Sequence, residues 1–144
     1  MASLLKISDA TVLGLHTMVY LAERKDEMVT TCKIAAFLGA SEAHLAKVLQ
    51  RLARAGLVRS VRGPRGGFTL LEGAGATPLL AIYEVFEGAF PSNDCLFDAP
   101  ICNRTGCILG GLLAKLGREV REYLATTTVA QLSSREGECY QPER

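Results

Sequence analysis

The stretch from residue 41 to residue 71 constrains the fold most, because its pattern changes twice. Leu45, Val48, Leu49, Leu52 and Ala53 recur at i, i+3, i+4, i+7 and i+8, the spacing of one apolar stripe on an α-helix. His44, Lys47, Arg51 and Arg54 fall on the other side of the same helix. Ser41 is placed to cap its N-terminus, Glu42 suits the positive end of its dipole, and Gly56 ends it. The pattern then becomes β-prone over Leu57-Val58-Arg59-Ser60-Val61 and again over Phe68-Thr69-Leu70-Leu71. Between these runs lies Arg62-Gly63-Pro64-Arg65-Gly66-Gly67, a connector that reads as the tip of a hairpin.

Upstream, a first helix is predicted over about 9–24, with Val12, Leu15, Val19 and Ala22 at helical spacing. A second, short helix follows Thr30 or Thr31 and stops at Gly39. Two short helices joined by a tight glycine-containing turn, the second basic on its outer face, match a helix-turn-helix; the hairpin after them is a wing. Residues 73–77 read as a linker, 78–87 as a fourth helix and 129–132 as a short final one. A long helix over about 108–125 carries Leu109, Leu112, Leu113, Leu116, Val120, Tyr123 and Leu124, an apolar arc wide enough to need a partner of comparable length. The expected fold is mainly α with a small β-hairpin wing: a winged helix-turn-helix plus a long C-terminal dimerisation helix. The expected division is 1–75 for the DNA-binding domain, 76–107 for a connecting helix and cysteine loop, and 108–144 for the dimerisation helix and tail.

Charge supports a nucleic-acid partner through its distribution rather than its sum. The 144-residue chain has a formal net charge of only +1. Yet from residue 31 to residue 67 it carries Lys33, Lys47, Arg51, Arg54, Arg59, Arg62 and Arg65 against Glu42 alone. Ser41, His44 and Lys47, near the start of the third helix, are the expected base readers, and Arg51 and Arg54 the expected phosphate contacts. Arg62 and Arg65 sit among glycines at the wing tip, with Arg62 suited to a narrow minor groove. The partners expected are double-stranded promoter DNA and a second copy of the chain, related by a two-fold axis. Hydrophobic content of 49% with 22% charged residues argues for a folded chain. No apolar run approaches the ~20 residues that span a bilayer, and residues 1–5 do not resemble a signal peptide, so a cytoplasmic address and no membrane partner are expected. No C-x-x-C, nucleophile elbow or phosphate-binding glycine motif is present, which argues against an enzyme.

Cys95, Cys102 and Cys107 are clustered in a loop-like stretch with Pro91, Pro100 and Gly106. Three readings are open for them. Packed cysteines would be inert, but Asn93, Asp94, Asp98, Asn103 and Arg104 make the loop polar. A zinc knuckle would show tighter pairs. Three thiolates on one loop also suit an iron–sulfur cluster with one further ligand from elsewhere. Spacing alone does not choose. Cys32 reads as a small packed residue, Cys139 as an incidental tail residue and His16 as a satisfied core histidine.

The order of these pieces resembles the Rrf2 family of bacterial winged-helix regulators, which includes an iron–sulfur cluster regulator and a nitric-oxide-sensitive repressor. The matching stretches are LHTMVYLA (15–22), IAAFLGASEAHLAKVLQRLARAGL (34–57), VRSVRGPRGGFTL (58–70) and IYEVFEG (82–88), with the cysteine loop and the long helix after them. The resemblance implies a homodimeric DNA-binding regulator, expected to act as a repressor, with a 2Fe–2S or 4Fe–4S cluster on Cys95, Cys102 and Cys107. The cluster would sense redox state, nitric oxide or cluster supply. Relatives that sense nitric oxide use an aspartate near the start of the first helix from the other subunit, and Asp9 is near that place; Asp94, Asp98 and His16 are further candidates. By the same matching Arg62 resembles a minor-groove arginine and Ser41 a DNA-contacting position. Ala46 stands where some members carry a specificity-tuning glutamate. The alternative within the same function is a clusterless regulator switched by thiol oxidation or a small ligand.

Overall fold

The structure, a computed structural model, describes residues 5–91, 95–97, 108–109 and 111–134. Among these the elements run α1 (Asp9–Ala22), α2 (Thr31–Leu38), α3 (Glu42–Arg54), β1 (Val58–Val61), β2 (Gly67–Leu70), a 3-10 turn (Ala74–Ala76), α4 (Leu79–Glu87), α5 (Leu112–Thr126) and α6 (Val129–Ser133). The strands pair antiparallel in the register Val58–Leu70 to Val61–Gly67. The mainly helical fold with a two-stranded wing is therefore the one its pattern predicts. No helix among the described residues is long and apolar enough to cross a membrane.

Four of the helices, α1, α2, α3 and α6, start where a side chain can take up free amides. The hydroxyls of Ser8, Thr30 and Ser41 accept from the backbone of Thr11, Lys33 and His44, and Thr128 with Gln131 closes a capping box on α6. Gly39, in the left-handed region at φ 65°, ends α2 and turns the chain into α3. The stripe of α3 goes inward as its spacing requires, with Leu45, Val48, Leu49 and Leu52 all at 1% exposure or less. They join Met18, Leu21, Ile34, Ile82 and Val129 in one core, which α1 crosses by packing against α3, α4 and α6.

α1 buries the face its apolar spacing marks only in part, with Ala22 buried and Leu15 and Val19 half-buried against the core. Thr11, Gly14, Thr17, Met18 and Leu21 point inward, while Val12 is 41% exposed. Gly14 is the reason: the Phe86 ring lies where a Cβ at that position would be, so α1 and α4 approach more closely than larger residues allow. His16 is likewise exposed rather than part of the core, with Nδ1 2.8 Å from the Val12 carbonyl.

One turn before that crossing, α1 and α4 are joined by a charge. Glu87 is only 4% exposed and lies 3.9 Å from the Lys6 ammonium. Its Oε1 accepts from the Ser8 amide at 2.7 Å and from the Thr11 hydroxyl. The Ser8 side chain, the Thr11 hydroxyl and the Ser8 amide, with the Lys6 charge, hold its carboxyl down at about 2, against the opposing push of burial.

Two further elements differ from expectation. The 73–77 segment is not a free linker. Ala74 is buried, the Leu79 amide donates to the Thr127 carbonyl at 2.9 Å and the Val129 amide to the Thr77 carbonyl at 3.1 Å, stitching α6 onto the start of α4. The long helix begins at Leu112 rather than near 108, because Gly111 is left-handed at φ 81° and Ile108 stands 86% exposed outside the helix. Only Leu113 of α5 is buried; Leu112 and Tyr123 are 47% and 52% exposed. Within the chain α5 packs chiefly on α4.

The Glu87 carboxylate has a folded pKa of about 2 against an ordinary 4.5, so its stabilisation is complete above pH 4.5 and is lost as pH falls toward 2. Glu87→Gln is expected to be destabilised at pH 7 and to approach the wild type near pH 2; urea melts across this range test it, and a pH-independent difference refutes the assignment.

Candidate nucleic-acid interface

The outer face of α3 is set by the core behind it. Once Leu45, Val48, Leu49 and Leu52 are buried, Lys47 and Arg54 must face solvent, and both are exposed. His44 is half-buried. Ser41 is exposed at the N-cap, where Oγ accepts from the His44 amide at 3.2 Å and retains its own proton for donation. The structure thus brings Ser41, His44, Lys47 and Arg54 onto α3 as one helical surface.

The wing is fixed to this module by more than its own ladder. Val29, between α1 and α2, exchanges two backbone bonds with Phe68, donating to its carbonyl at 2.9 Å and accepting from its amide at 2.8 Å. That third strand passes so close to Gly67 that a Cβ there would lie 2.6 Å from the Val29 oxygen, and the φ of 153° also suits only glycine. At the tip the Gly66 amide donates to the Gly63 carbonyl at 2.9 Å, and Arg62 and Arg65 are exposed on either side of the turn. Arg59, on β1, is exposed as well; the basic bias of the segment marks it, although no motif singles it out.

Arg51, exposed on α3 as Lys47 and Arg54 are, also has partners within the fold. Its guanidinium reaches α4, donating through Nη2 to the Val85 carbonyl at 2.6 Å and the Phe86 carbonyl at 3.4 Å, with its carbon 4.8 Å from the Phe86 ring centroid. These carbonyls are among the four that the end of a helix leaves without intrahelical partners, and a cation at that end is favoured by the dipole. No sequence signal points to this pairing, since the acceptors are backbone atoms more than thirty residues away.

Of the thiols expected as metal ligands, Cys95 is described: it is half-buried, free of any disulfide, and flanked by the exposed Leu96 and Phe97. Cys102, Cys107, Asp94, Asp98 and Cys139 lie outside the described residues. Among the described residues no three His, Cys, Asp or Glu side chains converge as a metal would require. Asp9 is exposed in the first turn of α1, one residue from the Ser8 amide that binds Glu87. It therefore lies at the end of the molecule where α4 gives way to the cysteine loop. Cys32 is exposed rather than packed. Its thiol hydrogen bonds to the Glu42 carboxylate, and this bond with the carboxylate charge pushes its pKa up, the reverse of what an activated thiol needs.

Comparison with known proteins agrees with this architecture. Residues 7–135 match the model of the Rrf2 family, described as an iron-dependent transcriptional regulator. The HTH-type transcriptional regulator CymR of Bacillus subtilis (strain 168) is 33% identical over 131 residues, covering 90% of this chain and 91% of that protein. The solved structure of CymR, titled the global cysteine regulator of B. subtilis, superposes with a TM-score of 0.75 at 31% identity over 90% of this chain and 97% of that one. Staphylococcus aureus CymR in an oxidised form gives 0.74 at 27% identity over 92% and 99%. IscR of T. potens gives 0.69 at 27% identity over 95% and 93%.

Arg62 and Arg65 are expected to act on DNA without supporting the fold. Arg62→Ala and Arg65→Ala should each weaken binding to a promoter fragment and reduce the slope of log K against log salt concentration by about one. Anisotropy titrations at several salt concentrations read both effects, and an unchanged slope removes the residue from the phosphate-facing set.

Proposed function

The chain belongs to the Rrf2 family of winged-helix transcriptional regulators, and on that premise we propose that it binds palindromic promoter DNA as a homodimeric repressor whose affinity is set by an iron–sulfur cluster on Cys95, Cys102 and Cys107. The observation that carries this reading is the position of α4. Its last turn touches both α1 and the recognition helix α3, and the next residues of the chain lead directly into the cysteine loop. The half-buried, unpaired thiol of Cys95 suits a thiolate ligand, and Asp9 is the candidate for the fourth position. When bound, such a group supplies a centre that responds to redox state, nitric oxide or cluster supply. The chain's own part is to anchor the segment that leads into the loop at Phe90, which is buried and packs against Tyr83 with ring centroids 5.4 Å apart. Ordering or releasing the loop then favours one placement of α3 over another, and DNA affinity follows the difference in free energy between the two states.

The homodimer is supported by α5. A helix that buries one residue in its own chain and leaves Leu112 and Tyr123 half-exposed has an apolar face to offer a second copy. Two copies joined there present paired recognition helices to successive major grooves about one DNA turn apart. A second reading, in which thiol oxidation or a small ligand switches the same loop without a cluster, is favoured by the likeness to CymR.

Anaerobic reconstitution with iron and sulfide is expected to give a coloured protein with stoichiometric iron, and the colour should be absent when Cys95, Cys102 and Cys107 are all changed to Ser. Iron-free, colourless protein overturns the cluster reading and leaves thiol chemistry. Leu112→Glu with Tyr123→Glu is expected to yield a monomer by sedimentation that binds a palindromic operator at least ~10-fold more weakly, as loss of half of a two-fold site requires; a dimer of undiminished affinity refutes the α5 interface.

A further inference from the structure

We propose that the concavity at the root of the wing is a binding site for a small zwitterion, a free α-amino acid with an apolar side chain, and that its occupant biases the position of the wing. The concavity has a volume of about 840 Å³. It forms where three parts of the chain meet: the connection between α1 and α2, the wing strands with the turn after them, and Ala130 of α6. Small-molecule sites run from roughly 300 to 1,000 Å³, so the space is of the right size. Met28, Leu70, Leu71 and Ala130 give it apolar surface, and Lys25, Asp26, Arg59 and Glu72 line it with charge. These four are exposed, and none forms an ion pair among the described residues. Glu27 lines the space too, but lies 4.0 Å from Arg24 and so has a partner. Two cations and two carboxylates are thus left unpaired around one cavity. A simple anion or a simple cation placed among them meets repulsion as well as attraction. A molecule that carries both an ammonium and a carboxylate gives each set a partner, and an apolar side chain on it has Met28, Leu70 and Ala130 to lie against.

The place of the cavity gives binding a consequence. The wing is fastened to the helices where Val29 and Phe68 exchange backbone bonds, and the next residue to each, Met28 and Thr69, lines the cavity. The Thr69 hydroxyl donates to the Lys25 carbonyl at 3.5 Å, a long bond, and Arg59 is the partner of Thr69 in the strand register. A ligand held by Lys25 and Asp26 on one side and by Arg59 and Glu72 on the other therefore spans this joint. It favours the wing position in which both sides reach it. Arg62 and Arg65 lie at the far end of the same hairpin, so DNA affinity follows the occupancy of the site. This consequence rests on the DNA-binding reading above and is independent of the cysteine loop.

Titration calorimetry and thermal melts on the full chain test the site, with the standard amino acids added one at a time and with acetate and ethylamine as probes of a single charge. An apolar amino acid is expected to bind in equimolar ratio to the chain and to raise Tm. The single-charge probes should bind at least ~10-fold more weakly, since each lacks one set of charge-assisted bonds. Lys25→Met and Glu72→Gln should each weaken the amino acid by about 10-fold while leaving the melt without ligand unchanged, as exposed positions allow. Asp26→Asn takes the place of either variant if it does not fold. Failure of every amino acid to bind overturns the site, as does equal binding of acetate or ethylamine, or binding that both variants leave intact. The amino acid that binds should also change Kd for a promoter fragment by at least ~5-fold. An unchanged Kd overturns the coupling to the wing. A chain that binds no promoter fragment with or without the amino acid refutes the DNA-binding reading instead, and the calorimetric result still decides the site.

Discussion

A carboxylate removed from water has to be compensated on the spot, and Glu87 is compensated by the first turn of a helix seventy-odd residues away in sequence. That requirement fixes α1 against α4. With the two helices so joined, Phe86 can occupy only the gap at Gly14, and its outward face and carbonyl are left to Arg51. Three consecutive residues, Val85, Phe86 and Glu87, thus bind two other helices through a carbonyl, a ring and a charge. The hydrophobic core holds the module together without regard to direction. This turn gives it an orientation.

Much of the DNA-binding module was legible in the sequence because local chemistry and tertiary packing agree there. Ser41, Gly39 and the stripe from Leu45 to Leu52 each signal the same helix boundaries and the same buried face, and the structure keeps them. Apolar spacing reads only part of the inner face of α1, because the rest is built from Thr11, Gly14 and Thr17, which a search for apolar spacing passes over. It also places the start of α5 too early, since Ile108 and Leu109 continue the apolar rhythm while Gly111 breaks the backbone geometry. Arg51 is exposed as its helical position predicts, but its pairing with the α4 carbonyls is not signalled, because periodicity separates two sides of a cylinder without saying where another helix lies. Of the thiol site, sequence supplied the residues, and the described structure places Cys95 alone among them, so the ligand set remains a proposal.

Cys32 stands at the start of α2 with the Glu42 carboxylate as its acceptor, and the negative charge beside it disfavours the thiolate. A thiol kept protonated reacts slowly with oxidants and electrophiles and binds metals poorly. Glu42 serves two purposes at once, since it also complements the N-terminal dipole of α3.

The pair of backbone bonds between Val29 and Phe68 turns a two-stranded hairpin, which alone is marginal, into the outer part of a three-stranded patch rooted between the first two helices. A wing so rooted is braced at its base as well as along its own ladder, so any change in its angle to the helices has to break the Val29–Phe68 pair as well as bend the hairpin.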